Sequence, residues 1–139
     1  MADNLYLEIV SPQGIIFEGN VSQVTLPTVS GIITALPHHA PLFTKLMEGE
    51  IEVVQTGKTL SYIVSGGFFE INNNKGSVLS DYAIRAESIE MAKSEEKKRQ
   101  AEQKLKEKLT NEEFTIVDKD LKMSILELKV AQKVRRKQH

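Results

Sequence analysis

The sequence predicts a β-plus-α protein: an N-terminal antiparallel β-sandwich followed by a C-terminal antiparallel two-helix hairpin. Three observations predict it. All four prolines lie at or before Pro41 and all eight glycines at or before Gly76. Turn formers and helix breakers are therefore confined to the first part. That first part consists of short runs rich in Val, Ile, Thr, Tyr and Phe, while the second is rich in Ala, Glu, Lys and Gln. Charge divides in the same way. Residues 1–84 carry three Lys/Arg against eight Asp/Glu, a net of −5, and residues 85–139 carry fifteen against eleven, a net of +4. The overall −1 hides this division, and such asymmetry predicts two parts with different partners.

The strands follow in order. "LYLEIV" (5–10) alternates, with Leu5, Leu7 and Ile9 on one face. Pro12-Gln13-Gly14 then turns the chain. "IIFEG" (15–19), "VSQVTL" (21–26), "GIITAL" (31–36), "EIEVV" (50–54), "LSYIVS" (60–65), "FFEIN" (68–72) and "SVLSD" (77–81) complete the set. Repeated short strands at close spacing predict an antiparallel sandwich or barrel. No helical crossover of about a dozen residues fits between them, which argues against a parallel α/β sheet.

The first helix is predicted over 89–109, with Ser88 as its N-cap and Glu90 in its first turn. Ile89, Ala92, Ala101, Leu105 and Leu109 form a thin apolar stripe whose centre, Glu96 to Lys98, is weak. Thr110 and Asn111 break the pattern, and "TNEEFTIVD" is expected to connect. Asp118 or Asp120 then caps a second helix over 121–137. Leu121, Ile125 and Leu128 make one row of it, and Leu126, Val130 and Val134 a second. Each helix would be about 25–33 Å long at ~1.5 Å per residue. So little apolar surface makes a marginal unit, expected to lean on the β-domain or on a partner. The domains are accordingly placed at 1–86 and 87–139.

Signals for chemistry are scarce. There is no cysteine, which excludes disulfides and thiolate metal sites. No apolar run approaches the roughly 18 residues of a membrane helix. The N-terminus lacks the basic and apolar regions of a signal peptide, so the chain reads as soluble and cytoplasmic. Phosphate loops, Gly-x-Ser-x-Gly elbows and His-Glu-x-x-His pairs are missing, and no catalytic residue is assigned. "VSGGFFE" (64–70) has two glycines but no following helix to complete a phosphate cradle, and reads as a bulge or tight bend.

The unusual stretch is Pro37-His38-His39-Ala40-Pro41. Adjacent side chains on an extended segment point to opposite sides, and the nearest acidic residue in sequence is Glu48. The pair is therefore a poor metal site, and none is assigned. The flanking prolines stiffen the backbone. The segment reads as a rigid loop that either presents His38 or buries His39 with a hydrogen bond. The tail "KVAQKVRRKQH" (129–139) holds Lys129, Lys133, Arg135, Arg136 and Lys137 and no acid. It is either a solvated helix end suited to the dipole or a surface for an acidic protein or phosphate-bearing ligand. Helices without interleaved aromatics argue against nucleic acid as the partner.

Several segments together resemble one family. "LPHHAPLFTKLMEGEIEV" is similar to the "LPGHAPL…L..G.I.V" segment of bacterial F-type ATP synthase epsilon subunits. "VSGGFFEI" resembles that family's "GG-x-x-E-V" strand, and "VLSDYAIRAESIE" its "VLAD-x-A" stretch. Order and spacing match over residues 5 to about 90, and the helical tail matches in layout. The resemblance implies a β-sandwich plus helical hairpin. It also implies a non-catalytic rotor subunit between the gamma subunit and the membrane-embedded c-ring of a proton- or sodium-translocating synthase. The hairpin of such proteins folds down on the sandwich or extends along gamma toward the alpha and beta subunits, where it inhibits ATP hydrolysis. The implied location is the cytoplasmic face of the cell membrane, reached only through the complex.

The resemblance also assigns residues. His39, Pro37 and Pro41 match the family loop, and His38 stands where the family usually has glycine. An ordinary backbone conformation is expected at His38, since φ > 0 is costly for it. Where the family often has a turn like "GEFG", this chain has "VSGIITAL" (29–36), with no acid. Ser30, Gly31, Ile32, Ile33, His38, His39 and Pro41 are the implied docking residues. Apolar contact is expected to replace electrostatic contact with the polar loops of the c-ring, leaving Ile33 as an exposed hydrophobic residue. Some members bind ATP with a pattern like Ile-Asp-x-x-Arg-Ala. The matching residues are Ile89, Glu90, Lys93 and Ser94, with Arg99 at a further arginine and Val130 and Val134 where others are expected. Lysine lacks the bidentate fork of arginine, so weak or absent ATP binding is expected and no cofactor is assigned. Two other readings stand beside this one. One is a generic adaptor whose two parts bind different proteins. The other is a small enzyme using His38 or His39.

Overall fold

The computed structural model describes residues 3–137; the ends of both predicted domains, residues 1–2 and 138–139, lie outside them. The chain divides into two compact units, Met1–Arg85 and Ala86–His139.

The first unit is one ten-stranded sheet folded over a single core. Its strands are β1 (Leu5–Ser11), β2 (Gly14–Val21), β3 (Gln23–Thr28), β4 (Gly31–Ala35), β5 (Leu42–Leu46), β6 (Gly49–Gln55), β7 (Lys58–Val64), β8 (Gly67–Asn72), β9 (Lys75–Leu79) and β10 (Ala83–Arg85). Hydrogen bonding runs in the order β10-β7-β6-β3-β5-β8-β9-β1-β2, with β4 paired to β3. The strand alternation seen in the sequence becomes the core. Leu5, Leu7 and Ile9 are fully buried and meet Leu26, Ile51, Phe69, Ile71 and Val78. The sheet nearly closes on itself. Ser22 N–H donates to Val54 O at 2.7 Å, and Gln55 Nε2 to Asn20 O at 3.0 Å, tying the β2 end to β6.

The predicted strands are present, with three differences. β5 and β10 were not foreseen; "AIR" is too short to show an alternation, while "LFTKL" alternates and was overlooked beside the proline loop. Val21 closes β2 instead of opening β3, and Ser22 makes the turn between them. The sheet is not wholly antiparallel: β1 runs parallel to β9, from Tyr6 opposite Lys75 to Val10 opposite Leu79. Such a pairing joins segments distant in sequence and leaves no local signal. As expected, Gly66 and Gly67 make a tight bend, with φ of 118° and 121°. A Cβ on Gly67 would overlap the Leu79 carbonyl oxygen, so the close approach of β9 requires glycine there.

The second unit contains a 3-10 turn (Ala86–Ser88) and two helices, α1 (Met91–Leu105) and α2 (Asn111–Lys137). The helices are antiparallel. Ser94 near the start of α1 meets Glu127 of α2, and Met91 meets Arg135. Their bounds correct the predicted ones. Ser88 lies in the 3-10 turn and is no cap; Glu90 precedes the helix without a side-chain cap bond. α2 begins ten residues earlier than Leu121, so neither Asp118 nor Asp120 is its cap. Thr110 takes that place: Glu113 N–H donates to Thr110 Oγ1 at 3.1 Å, and the Thr110 hydroxyl donates to Glu113 Oε1 at 3.0 Å. This pair makes "TNEE" a helix start where the sequence reading saw a linker. At 27 residues, α2 is roughly 40 Å long.

The seam between the helices also differs from the predicted rows. Ser94 and Ala101 of α1 are buried, with Lys98 and Leu105 half-buried between and beyond them. On α2 the buried set includes Val117, Ser124, Glu127, Leu128, Val130 and Ala131. Residues 94, 98, 101 and 105, and 117, 121, 124, 128 and 131, repeat at intervals of four and three, the spacing of a short coiled-coil seam. Ala92 is exposed and Ile125 is 45% exposed, because both lie off that seam.

Candidate docking site

Two strands and a turn build the loop between the prolines. β4 ends at Ala35, and His39 N–H returns to Leu36 O at 3.1 Å. Pro37 therefore occupies the second position of a four-residue turn and His38 the third. With proline second and a positive φ third, this is a type II arrangement. His38 has φ 65°, which corrects the expectation of an ordinary conformation. The reason is the turn. Pro37 presets its own φ and the closing bond forms, and in the type II form of such a turn the third residue is left-handed whatever its side chain. Asn74 supports it: Asn74 Oδ1 accepts from His38 N–H at 2.8 Å.

The loop settles which histidine faces outward. His38 is exposed, and His39 is half-buried with Nδ1 2.6 Å from Ala40 O. Among the described residues no three His, Cys, Asp or Glu side chains gather in a way that could hold a metal ion. Pro41, Leu42 and Phe43 line a shallow groove with Glu70, Ile71 and Asn72.

The turn before β4 is closed by Thr28, whose hydroxyl donates to Gly31 O at 2.6 Å and accepts from Ser30 N–H at 3.2 Å. Ser30 and Gly31 are exposed beside Ile32, which is 80% exposed. Ile33 was expected to be the exposed residue. Instead it packs against the sandwich core, opposite Leu26 in the register. Strand alternation decides this, since neighbours on β4 face opposite sides.

An apolar surface that the sequence reading missed lies on the outer side of β5, β8 and β9. Phe43 is 65% exposed and stacks on Phe68 at 5.6 Å between ring centroids. Leu79, directly opposite Phe68 in the register, is 54% exposed. The usable signal was "LFTKL" read against "FFEIN": each puts two large apolar residues on the core side and one on the outer side. Large exposed apolar patches mark interaction surfaces.

The hairpin carries the remaining candidates. Ile89 is buried, Glu90 and Lys93 form a surface pair at 3.3 Å, and Arg99 pairs with Glu96. Val130 is buried and Val134 half-buried. In the basic segment Lys129, Arg135, Arg136 and Lys137 are exposed and Lys133 is half-buried. Arg135 Nη1 donates to the Met91 thioether at 2.8 Å, which ties the end of α2 to the start of α1. The tail residues beyond Lys137 lie outside the described residues. No helix among the described residues is long and apolar enough to cross a membrane.

Comparison with known proteins agrees with this arrangement. The family "ATP synthase, Delta/Epsilon chain, beta-sandwich domain" matches residues 4–86. An ATP synthase epsilon chain of Herpetosiphon aurantiacus is 34% identical over 134 residues, covering 96% of this chain and 98% of that one. That of Endomicrobium trichonymphae is 40% identical over 135 residues, covering 94% and 95%. That of Pelotomaculum thermopropionicum is 44% identical over 102 residues, covering 73% and 76%. Among solved structures, a chain of the Euglena gracilis mitochondrial ATP synthase has a TM-score of 0.68 at 20% identity, covering 98% of this chain and 82% of that one. A chain of the Tetrahymena thermophila mitochondrial ATP synthase central stalk and c-ring has a TM-score of 0.66 at 11% identity, covering 91% and 95%. The structural likeness speaks for the fold. The matched sandwich and the near full-length relatives speak for descent, and together they show that the chain belongs to the ATP synthase epsilon chain family.

Proposed function

We propose that this chain is a non-catalytic rotor subunit of an F-type ATP synthase, docking through its β-unit on the gamma subunit and the c-ring loops and restraining ATP hydrolysis through its hairpin. The observation that carries the docking role is the exposed apolar surface. Ile32, Phe43, Phe68 and Leu79 are all close to half exposed or more, and a stacked aromatic pair in water is costly unless a partner covers it. Ser30 and Gly31 lie at the turn that opens β4, and His38, His39 and Pro41 on the loop that follows it. Family relatives are named as parts of the synthase, which supports association with that complex and, through it, with the membrane.

The hairpin role is supported by its composition. Its seam is built largely of small or polar residues, while Phe114, Ile116 and Ile125 of α2 remain exposed. Such a unit gains much from a second surface. When the hairpin extends toward the alpha and beta subunits, its basic end would meet acidic groups there. No regulatory ATP is assigned: Lys93 is a point charge already beside Glu90, and Val130 and Val134 offer no fork for phosphate. Calorimetry is expected to detect no ATP binding at physiological concentration, and a micromolar affinity would contradict this.

The deciding experiment is capture of the gamma subunit by the full chain. Wild type is expected to copurify with gamma, and a chain carrying Ile32→Ser and Phe43→Ser to lose most of that binding while keeping its β-sheet circular dichroism. Undiminished capture would remove the docking reading.

A further inference from the structure

We infer that Asn74 is the positioning residue of the docking loop: its side-chain amide holds the His38 turn in the shape that meets the partner. The inference rests on the docking reading above and adds a residue that lies outside the loop by 36 positions in sequence.

The geometry is specific. Asn73 and Asn74 form the two-residue turn between β8 and β9, with φ of 51° and 62°. Asparagine tolerates this left-handed backbone better than other non-glycine residues. The turn places the Asn74 amide between two other segments. Its Oδ1 accepts from His38 N–H at 2.8 Å, and its Nδ2 donates to Asn4 O at 2.8 Å. Its backbone carbonyl accepts from Tyr6 N–H at 3.1 Å. One residue therefore ties together the loop, the β8–β9 turn and the chain entering β1.

The loop needs such a tie. His38 is a bulky residue at φ 65°, a conformation that persists only where its surroundings over-determine it. The turn's own closing bond, His39 N–H to Leu36 O, does not engage the His38 amide. The acceptor for that amide comes from Asn74. Releasing it would let the turn relax toward conformations that histidine prefers, and would move His38 and His39 relative to Pro41.

The test compares wild type with Asn74→Gly and Asn74→Asp in the full chain. Glycine keeps the left-handed backbone and removes the amide. Aspartate keeps an oxygen facing His38 and removes the donor to Asn4. Hydrogen exchange of the His38 amide and affinity for the gamma subunit are both measured. Asn74→Gly is expected to speed His38 exchange and weaken gamma binding, each by about tenfold, the scale of one net hydrogen bond. Asn74→Asp is expected to retain most of the protection and the affinity. Unchanged His38 exchange in Asn74→Gly, or equal loss in both variants, would overturn the inference. So would faster exchange with wild-type affinity, provided the Ile32→Ser, Phe43→Ser chain has lost affinity. If that chain also binds normally, the docking reading itself has failed and the inference falls with it.

Discussion

The two units stabilise themselves in different ways. In the sandwich, Leu5, Leu7, Ile9, Val24, Leu26, Ile51, Phe69 and Ile71 are wholly buried, and each faces side chains from several strands. In the hairpin, the buried positions of α1 are Ser94 and Ala101, and α2 contributes Ser124, Glu127 and Ala131 beside Val117, Leu128 and Val130. Burying a large aliphatic or aromatic side chain stabilises by about 1.5–3 kcal/mol, whereas alanine and serine contribute little. Glu127 is only 6% exposed and accepts from Ser94 Oγ at 2.8 Å. A hydrogen-bonded buried carboxylate selects one register more than it adds stability. The contrast teaches a difference in packing: one unit is a platform built around large buried side chains, the other a helical pair joined through small and polar ones.

The largest effect that could break this contrast is in the platform. Phe69→Ala should destabilise the sandwich by about 3–5 kcal/mol, read as a drop in the urea midpoint of the β-sheet signal. A loss under about 1 kcal/mol would mean that the core is less decisive than its burial implies. Next comes the basic end of α2. Changing Lys133, Arg135, Arg136 and Lys137 together to alanine should raise ATP hydrolysis by the assembled complex severalfold to about tenfold at low salt, and less at high salt where charges are screened. Equal rates at every ionic strength, with assembly intact, would remove the electrostatic part of the hairpin's role.

Smaller effects sharpen the picture of the hairpin. Ser94→Ala removes the donor to Glu127 and should cost the helical unit about 1 kcal/mol. Thr110→Ala removes the α2 cap and should cost a similar amount, about 1 kcal/mol. Either is read as lower helical ellipticity at elevated temperature, with the sandwich transition unmoved. The smallest expected effect is the most diagnostic. Residues 1–86 expressed alone should unfold within about 0.5 kcal/mol of the sandwich transition in the full chain, a range typical of changes that touch no core contact. They should still capture gamma. An unfolded fragment would show that the platform depends on its helices.

Much of this was readable from the residues, and particular positions show where reading stopped. Alternation in "LYLEIV" announced a strand with Leu5, Leu7 and Ile9 inward, and that is their arrangement. Proline and glycine placement announced where sheet gives way to helix. The family motif pointed to the Pro37–Pro41 loop. Histidine's own preference misled at position 38, where the conformation of the turn is the left-handed one that the family's glycine adopts readily. Reading "TNEEFTIVD" as a linker failed because Thr110 and Glu113 cap each other, while the two predicted rows of α2 are buried or half-buried except at Ile125, which lies off the seam with α1.

By itself, then, the sequence determined the quantities that depend on near neighbours: strand and helix character, the sign of charge in each part, and the positions of turns. Tertiary structure decided what depends on residues far apart in the chain. The parallel pairing of β1 with β9, the stacking of Phe43 on Phe68 and the grip of Asn74 on His38 all belong to that class. Local preferences follow from a residue's own backbone and side chain, and so can be read one residue at a time. Contacts across 25 or more positions exist only once the sheet has folded over, because the closing of that sheet brings their atoms within reach.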